Sequence, residues 1–229
     1  DWAFERQIVT IPFEGESRKA VINMGKLGIL DALDAATGEY LFSMDMGLQN
    51  VVSAIDPDTG YKTINPYTVP QLEETRLICA NHYGAKSWPP AAFNPTTNRL
   101  YLPLNEGCME AGPEGRYEIL TTGVQMRQAL LPESNGRMGR IQALDLGSQE
   151  FDWLHRQPSP VISSILATAG GLVFAGDLNR NFKALDEATG EVLWETDLDD
   201  IPSSTIVTYA VDDIQYVAIA TGQTGYHVN

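Results

Sequence analysis

The sequence predicts an all-β fold built from repeated antiparallel hairpins, and three observations support this. A segment that begins Ala-Leu-Asp, passes through a tight turn and returns as a second strand occurs at residues 32–42, 143–153 and 184–194. Each copy ends on a large aromatic side chain, Phe in the first copy and Trp in the other two. No stretch of about ten residues has the period of an amphipathic helix. Local hairpins are therefore expected along the whole chain.

The spacing of these copies predicts the kind of all-β fold. The second and third copies start 41 residues apart. A repeat of about 40 residues with an aromatic at a fixed position is the signature of a β-propeller, whose blades are four-stranded antiparallel sheets. The first blade is expected from short strands joined by tight turns, within residues 1–13, 18–23, 28–33 and 39–44.

The middle of the chain, near residues 45–137, is predicted to be a loop-rich insert in the propeller. It contains a strong turn at 56–60, where a Pro presets φ and a Gly accepts a positive φ, and a hairpin over 91–102. Residues 103–137 show little periodic pattern. An irregular segment of that length inside a compact domain is usually functional or pinned in place.

The blade pattern returns after residue 140. Strands are predicted at 141–144 and 151–155, in a pair around the Gly-Gly turn within 165–177, at 182–185 and 192–195, and in a last hairpin at 204–210 and 215–221. This gives roughly four blades, the last of them unfinished. Because proteins normally avoid unpaired sheet edges, we expect residues 1–229 to be part of a larger ring that does not stand alone.

Composition excludes some classes of function. The chain has 30 acidic and 15 basic residues, a formal net charge of −15. Nucleic-acid binding by a basic surface is not expected, because phosphate neutralisation needs clustered Lys and Arg. The acidic surface is either simply solvated or a docking face for a basic partner. No run of about 18 apolar residues predicts a transmembrane segment. No signal peptide is visible, and a chain that begins with Asp1 is expected to start within a protein or after processing.

The two cysteines, Cys79 and Cys108, do not have the spacing of a zinc site built from cysteine pairs. They are either two free thiols or one disulfide, and the composition does not choose between these. No Cys-x-x-Cys-His segment occurs, so no c-type haem is expected in this part of the protein.

Three groups of residues carry a resemblance to a known family. The first is the repeated turn. The second is the 29-residue spacing from Cys79 to Cys108, with the segments 84–88 (Gly-Ala-Lys-Ser-Trp) and 104–108 (Leu-Asn-Glu-Gly-Cys) inside it, and the third comprises 166–177 and 216–220. In this order and spacing the chain resembles the pyrroloquinoline quinone (PQQ) dependent alcohol dehydrogenases. These bacterial quinoproteins are eight-bladed propellers with a tryptophan-docking repeat. The resemblance covers nearly the whole chain and the C-terminal half of the family's domain.

The resemblance implies an enzyme that oxidises an alcohol to an aldehyde or ketone. Hydride passes from the alcohol carbon to PQQ, an Asp takes the hydroxyl proton, and calcium acts as a Lewis acid on the quinone. The implied partners are a small alcohol, an electron acceptor such as a c-type cytochrome, and the N-terminal half of the propeller. That half carries the family's Glu and Asn calcium ligands, its vicinal cysteine pair and the Trp that stacks under the quinone.

The resemblance also assigns roles to residues of this chain. Asp1, followed by Trp2, matches the catalytic base beside the calcium ion, and Ala3 stands where the lanthanide-using branch has a second Asp, which favours calcium. Lys26 matches the cation that contacts the quinone oxygens. The remaining cofactor or cavity positions are Ser87, Trp88 and Tyr226.

Two further features follow from the same resemblance. Cys79 and Cys108 match a structural disulfide of some family members, which implies a periplasmic location and a stabilisation of roughly 2–4 kcal/mol. Ile162 and Tyr226 stand where the family often has Trp, which predicts a differently shaped pocket, suited to an alcohol bulkier than methanol.

Two other readings stay open at the level of sequence. Propellers with this repeat also occur as non-catalytic scaffold proteins of the bacterial envelope, which lack the base and the cofactor-facing lysine. A PQQ-dependent sugar dehydrogenase is the third reading, and the segment between the two cysteines speaks against it. The residues that precede Asp1 in the complete protein would separate the enzyme from the scaffold.

Overall fold

A computed structural model describes residues 5–71, 73–113 and 125–222. Within these residues the chain forms short strands and two single-turn 3-10 helices, Pro66–Thr68 and Pro132–Ser134. The strands are β1 (Arg6–Phe13), β2 (Glu16–Met24), β3 (Ile29–Asp34), β4 (Tyr40–Asp45), β5 (Val52–Ile55), β6 (Lys62–Ile64), β7 (Arg76–Cys79), β8 (Ala92–Asn94), β9 (Arg99–Asn105), β10 (Gly107–Gly112), β11 (Gln125–Leu130), β12 (Gly139–Asp145), β13 (Glu150–Gln157), β14 (Leu166–Ala167), β15 (Leu172–Gly176), β16 (Asn181–Asp186), β17 (Val192–Asp197), β18 (Val207–Val211) and β19 (Ile214–Ala218).

Three of the described sheets have the four strands of a propeller blade. Their strand orders are β1-β2-β3-β4, β13-β12-β9-β8 and β14-β15-β16-β17. The other sheets are smaller: β11-β10-β7 has three strands, and β5-β6 and β18-β19 are pairs. The predicted hairpins of the repeat therefore form, and the pair β18-β19 is the last hairpin that the sequence predicts.

The three copies of the repeated hairpin have the same register. In each copy of Ala-Leu-Asp, a β-bulge lies between the Ala and the Leu. The Ala before the bulge pairs with the aromatic residue that ends the copy. The pairs are Ala32 with Phe42, Ala143 with Trp153 and Ala184 with Trp194. A bulge increases the local twist of a strand pair. The identical bulge explains why the sequence repeat is also a structural repeat.

The turn inside each copy is closed by its Asp. In the third copy, Asp186 Oδ1 accepts hydrogen bonds from the backbone N–H groups of Ala188 and Thr189 at 2.9 Å and from the Thr189 hydroxyl at 3.0 Å. Asp34 makes the same set of bonds in the first copy, and so does Asp56 in the turn at 56–60, which is not one of the three copies. These bonds favour the ionised form and lower the pKa of all three carboxyl groups.

The chain divides into two compact units. Unit 1 comprises residues 1–10, 16–87 and 105–138, and unit 2 comprises residues 11–15, 88–104 and 139–229. Unit 2 has a core of buried side chains from strands of two blade sheets and from the segment between β13 and β14: Tyr101, Ile141, Ala143, Val161, Ile165, Val173, Ala175 and Leu185. Trp153 packs against this core.

Within unit 2, one blade docks on the turn of the next through Trp153. The indole Nε1 donates a hydrogen bond to the Glu187 carbonyl at 2.9 Å. The ring lies over Gly190, where an added Cβ would stand 2.4 Å from the indole. This contact is the physical basis of the aromatic that the sequence repeats. In unit 1, the nearest neighbour of an added Cβ at Gly60, in the similar turn at 56–60, is Tyr40 and not Phe42, the aromatic of the first copy.

The segment 103–137 is more regular than its sequence suggests. It contains β10 and β11, which pair antiparallel from Gly107 with Leu130 to Gly112 with Gln125. The two strands consist mostly of Gly, Ala, Met, Glu, Gln and Arg, which have low or moderate β-propensity and no alternating pattern. Pairing with β7, itself linked to β10 through Cys79 and Cys108, holds this hairpin where local propensity does not.

Candidate functional site

The predicted site residues Lys26, Ser87 and Trp88 lie in the part of the chain that the structure describes. Asp1 and Tyr226 lie outside the described residues, as do Trp2 and Ala3. Their predicted roles as base, calcium ligand and cavity residues therefore remain predictions. Ile162 is described and lies just before β14 in unit 2.

Lys26 sits in the tight turn between β2 and β3 in unit 1. The turn is closed by a hydrogen bond from the Gly28 N–H to the Gly25 carbonyl at 3.0 Å, and Gly28 has a φ of +70°. An added Cβ at Gly28 would stand 2.9 Å from the Ala85 Cβ. A glycine is thus required here both by the backbone conformation and by the close approach of a second loop.

That second loop, residues 80–87, holds Lys26 in place. The Ala85 N–H donates to the Lys26 carbonyl at 2.7 Å. The stem of Lys26 lies over Gly84, where an added Cβ would stand 2.6 Å from Lys26 Cγ and 2.9 Å from its Cα. Lys26 is half-buried as a result. The structure therefore brings together the segments that carry Lys26 and Ser87, which are 61 positions apart in the chain.

The loop 80–87 is itself fixed at its start by the disulfide and by Asn81. Cys79 and Cys108 face each other on β7 and β10 and form the disulfide that the resemblance implies. Asn81 is buried, and its Oδ1 accepts from the backbone N–H groups of Tyr83 and Gly84 at 3.0 and 3.2 Å. Its Nδ2 donates to Gln128 Oε1 at 2.8 Å. Asn81 was not among the residues predicted from the sequence.

Lys86 is the buried cation of this loop, with 1% of its side chain exposed. Its Nζ lies 3.0 Å from Glu5 Oε1 and donates to the Ser87 carbonyl at 3.1 Å. Burial lowers the pKa of the Lys86 ammonium, and the Glu5 carboxylate opposes that shift. No sequence pattern indicates this role, because a buried lysine and a solvated lysine look alike in the sequence of a polar loop.

Ser87 and Trp88 close the loop. Ser87 is half-buried, and Trp88 is 62% exposed. Trp88 is the first residue of this segment of unit 2, so it marks the passage of the chain from one unit to the other. An exposed indole beside two prolines presents a large apolar surface with one hydrogen-bond donor.

The donor set of unit 1 fits an anionic quinone such as PQQ. The half-buried residues Lys26 and Ser87, an amine and a hydroxyl donor, lie on segments that the structure locks together, and quinone oxygens accept hydrogen bonds from such donors. For a metal the described residues offer no comparable fit. Among residues 5–71, 73–113 and 125–222, no group of three His, Cys, Asp or Glu side chains could hold an ion.

The fold and the site together define a class of protein. The chain is part of a β-propeller in which a turn that carries a lysine is held against a loop anchored by a disulfide. Comparison with known proteins extends this. Residues 110–217 match the family described as PQQ glucose/ethanol/alcohol dehydrogenase, β-propeller domain. The chain is 30% identical over 230 residues to the lanthanide-dependent methanol dehydrogenase of Methylorubrum extorquens, covering 93% of this chain and 38% of that protein.

A second relative and a solved structure support the same family relationship. The quinohemoprotein alcohol dehydrogenase of Comamonas testosteroni is 28% identical over 236 residues, covering 96% of this chain and 32% of that protein. A europium-containing methanol dehydrogenase structure superposes with a TM-score of 0.84 at 27% identity, covering 94% of this chain and 38% of that chain. The chain is therefore related to the PQQ-dependent alcohol and methanol dehydrogenases, which confirms the resemblance and the partial-propeller fold. It spans about a third of the length of these relatives.

Proposed function

We propose that this chain is the C-terminal half of the propeller of a PQQ-dependent dehydrogenase that oxidises an alcohol to an aldehyde or ketone. The observation that supports this most is the contact of the Lys26 turn with the loop 80–87. It joins the predicted quinone-binding cation and the predicted cofactor-edge residue Ser87 in one unit. The relatives named above act on alcohols according to their names.

The roles of the chain's own residues follow from their chemistry. Asp1, as an ionised carboxylate, takes the proton of the substrate hydroxyl, while the carbon-bound hydrogen leaves with its electron pair to the acceptor. The Lys26 ammonium donates hydrogen bonds to the quinone oxygens and stabilises the negative charge that develops there. Ser87 orients the cofactor edge through its hydroxyl. Trp88, Ile162 and Tyr226 shape the cavity, which we expect to accept an alcohol bulkier than methanol.

The cofactors are part of the proposal. When bound, PQQ supplies the two-electron acceptor and calcium supplies a Lewis acid that polarises its reactive carbonyl. Asp1 would be one calcium ligand, and the other ligands are expected in the N-terminal half of the domain. Calcium is preferred to a lanthanide because Ala3 provides no second carboxylate.

The proposed location is the periplasm, with a c-type cytochrome as electron acceptor. The Cys79–Cys108 disulfide supports an oxidising compartment, since such bonds are rare in the cytosol. In the described part of the chain, no helix is both long and apolar enough to cross a bilayer. The net charge of −15 fits a basic partner protein better than a nucleic acid.

The test uses the complete protein reconstituted with PQQ and calcium, and in parallel with PQQ and lanthanum. Dye reduction is measured with a panel of primary and secondary alcohols and with aldose sugars. Turnover of an alcohol with calcium is expected. Absence of turnover with every alcohol would reject the proposal, and PQQ-independent behaviour without any cofactor binding would favour a scaffold protein.

Variants of single residues sharpen this test. Lys26→Met is expected to lower kcat/KM by about 100-fold or more, because it removes a donor aimed at developing charge. The matched control is Lys19→Met, since Lys19 is exposed on β2, the strand that leads into the Lys26 turn, and should be neutral. Asp1→Asn should abolish turnover while PQQ stays bound. Unchanged turnover in Asp1→Asn would show that another residue is the base.

A further inference from the structure

The turn 81–84 of unit 1 has no role in the chemistry described above, yet its last residue lies directly against the stem of Lys26. Gly84 is buried and has a φ of +94°. A Cβ added to Gly84 would stand 2.6 Å from Lys26 Cγ, 2.8 Å from its Cβ and 2.9 Å from its Cα. Three carbons of Lys26 thus occupy the space that a side chain at position 84 would need. The bare backbone of Gly84 therefore forms the surface on which the lysine stem rests.

The side chain of Asn81 holds this turn in shape. Its Oδ1 accepts hydrogen bonds from the N–H groups of Tyr83 at 3.0 Å and Gly84 at 3.2 Å. The Gly84 N–H also donates to the Asn81 carbonyl at 2.9 Å. An Asn side chain that bonds backbone groups two and three residues further on stabilises a tight turn. Because Asn81 bonds the Gly84 N–H twice, it determines where the backbone of Gly84 lies.

Asn81 is itself anchored by the three-stranded sheet of unit 1. Its backbone N–H donates to the Gly107 carbonyl on β10 at 2.9 Å, and its Nδ2 donates to Gln128 Oε1 on β11 at 2.8 Å. A Cβ added to Gly107 would stand 2.4 Å from Nδ2, so a glycine there lets the Asn81 amide reach β11. Asn81 is only 6% exposed. A buried amide that is bonded at both ends is costly to displace, because its partners would be left unpaired.

These contacts form one continuous connection from the sheet to Lys26. The bond from the Ala85 N–H to the Lys26 carbonyl at 2.7 Å fixes the backbone of the lysine, and Gly84 restricts its stem from Cα to Cγ. A lysine side chain is long and flexible, and holding it in one geometry costs conformational entropy. A stem that is already restricted in the cofactor-free protein lowers the part of this cost that falls on ligand binding.

From this geometry we propose that Asn81 is a positioning residue, which acts through Gly84 to restrict the Lys26 stem and so to present the lysine ammonium to the quinone. The inference rests on the proposed function, in that it takes Lys26 as the cation that contacts the quinone oxygens. It adds two residues whose role requires no contact with substrate or cofactor. A misplacement of about 1 Å in a group that stabilises developing charge can cost about 100-fold in rate.

The test compares Gly84→Ala, Asn81→Ala and Asn81→Asp in the complete protein loaded with PQQ and calcium. Gly84→Ala and Asn81→Ala should each lower kcat/KM by roughly 10-fold or more. Asn81→Asp keeps an oxygen that accepts from both N–H groups of the turn, so it should lose less than Asn81→Ala. In a Lys26→Met background, Gly84→Ala and Asn81→Ala should lower kcat/KM by less than about 2-fold, since the lysine through which they act is gone.

The matched control is Gly47→Ala, because Gly47 has a φ of +69° and nothing lies within 4 Å of its added Cβ. It should lose thermal stability for the same backbone reason as Gly84→Ala and keep kcat/KM within about 2-fold. A readout on the cofactor-free protein is acylation of Lys26 by an amine-reactive ester, located by peptide mass spectrometry and divided by that of the exposed Lys19. This ratio should rise by about 3-fold or more in Gly84→Ala and Asn81→Ala, and it should not change in Gly47→Ala.

The outcomes separate the inference from the proposed function. If the unsubstituted enzyme oxidises alcohols and Gly84→Ala keeps both kcat/KM and the acylation ratio, the inference is wrong and the proposed function stands. If Gly84→Ala lowers kcat/KM as strongly with Lys26→Met as without it, Gly84 acts on something other than Lys26, which also overturns the inference. If Asn81→Ala does not fold, Gly84→Ala and Asn81→Asp decide the same question. If the unsubstituted enzyme oxidises no alcohol, the proposed function fails, and the inference fails with it.

Discussion

Trp153 and Trp194 occupy the same position of the same repeat but have different surroundings in unit 2. Both face an Ala across a bulged hairpin. Trp153 donates its indole N–H to the Glu187 carbonyl, lies over Gly190 and packs on the core. Trp194 is 50% exposed, and its described ring contact is an edge-on contact with Phe182, at 6.2 Å between centroids.

The difference shows that docking of the repeated aromatic requires two successive hairpins and is not a property of one hairpin alone. The first hairpin supplies the aromatic, and the second supplies a turn with a free carbonyl and a glycine. Trp153 meets such a turn at residues 186–190. The next hairpin after Trp194, β18-β19, turns at Asp212-Asp213, has no Thr-Gly, and exposes all five residues of β18. Among the described residues of unit 2, the Trp at the repeat position is thus docked where the next copy of the turn receives it, at Trp153, and half-exposed where no such turn follows, at Trp194.

The largest expected effect is the loss of folding stability in Trp153→Ala, compared with the matched substitution Trp194→Ala. Trp153→Ala should destabilise the complete protein by about 3 kcal/mol or more, because it leaves a cavity beside the core and an unpaired Glu187 carbonyl. Trp194→Ala should cost less than about 1 kcal/mol, as expected for a half-exposed side chain. The midpoint of urea unfolding, followed by far-ultraviolet circular dichroism, measures both. Equal losses in the two variants would contradict the docking interpretation.

The second prediction tests the turn that receives Trp153. Gly190→Ala combines a positive φ of +71° with a Cβ only 2.4 Å from the indole. Gly38→Ala is the matched control, because its φ is +76° and nothing lies within 4 Å of its added Cβ. The backbone cost alone is about 1 kcal/mol, so Gly38→Ala should lose about that much and Gly190→Ala about 1–2 kcal/mol more. Differential scanning calorimetry of the complete protein gives the comparison.

If the two glycine variants melted at the same temperature, the indole would have to move aside without loss, and Trp153 would not be tightly docked. Adding Trp153→Ala to each variant extends this control. It should remove the extra loss of Gly190→Ala, because the ring that clashes is gone, and it should not change the loss caused by Gly38→Ala.

The third prediction concerns the side chain of Glu187, whose carbonyl receives Trp153. Its Oε1 accepts hydrogen bonds from Asn94 Nδ2 at 2.6 Å, Thr97 Oγ1 at 3.1 Å and Tyr101 Oη at 2.7 Å. Burial, followed by the hydrogen bond to Glu187, raises the pKa of the Tyr101 phenol well above its ordinary value. One carboxylate therefore ties the hairpin β8-β9 to the turn on which Trp153 docks.

Glu187→Gln should cost about 1–2 kcal/mol, since an amide is a weaker acceptor and brings an N–H₂ group that finds three donors around it. Glu150→Gln, at an exposed position of β13, is the control and should be neutral. Thermal melting at pH 7 measures both variants. A neutral Glu187→Gln would mean that the Tyr101 and Asn94 bonds contribute little to docking.

The sequence predicted the repeated hairpins well, because their bulge, turn and aromatic are all local features. It did not predict β10 and β11, whose pairing depends on a sheet partner distant in the chain. It identified Lys26 and Ser87 only through the family resemblance, and it missed Asn81 and Lys86. Those two are polar residues in a polar loop, and only their burial and their partners in three dimensions reveal a role.

The smallest expected effect is a pH-dependent change in stability. It tests whether the turn alone, or also the aromatic that docks on it, determines the ionisation of the turn's Asp. The hydroxyl of Thr189, together with backbone N–H groups, lowers the pKa of Asp186, and backbone N–H groups of Thr37 and Ala36 lower that of Asp34. A carboxyl group whose pKa is lower in the folded state stabilises the fold above its unfolded pKa, and this contribution is lost as the pH falls through the folded pKa. Asp186→Asn and Asp34→Asn should therefore lower the melting temperature slightly at pH 7.

This difference from the unsubstituted protein should shrink as the pH falls below about 4, where the native carboxylates take up protons. Because both Asp side chains lie at exposed turns, the loss of this difference at low pH should be the same for Asp186, whose turn carries Trp153, and for Asp34, in whose turn an added Cβ at Gly38 would have nothing within 4 Å. Melting curves of both variants between pH 7 and pH 2.5 measure it. A pH dependence confined to Asp186→Asn would show instead that the docked indole, and not the turn, sets the ionisation of that carboxylate.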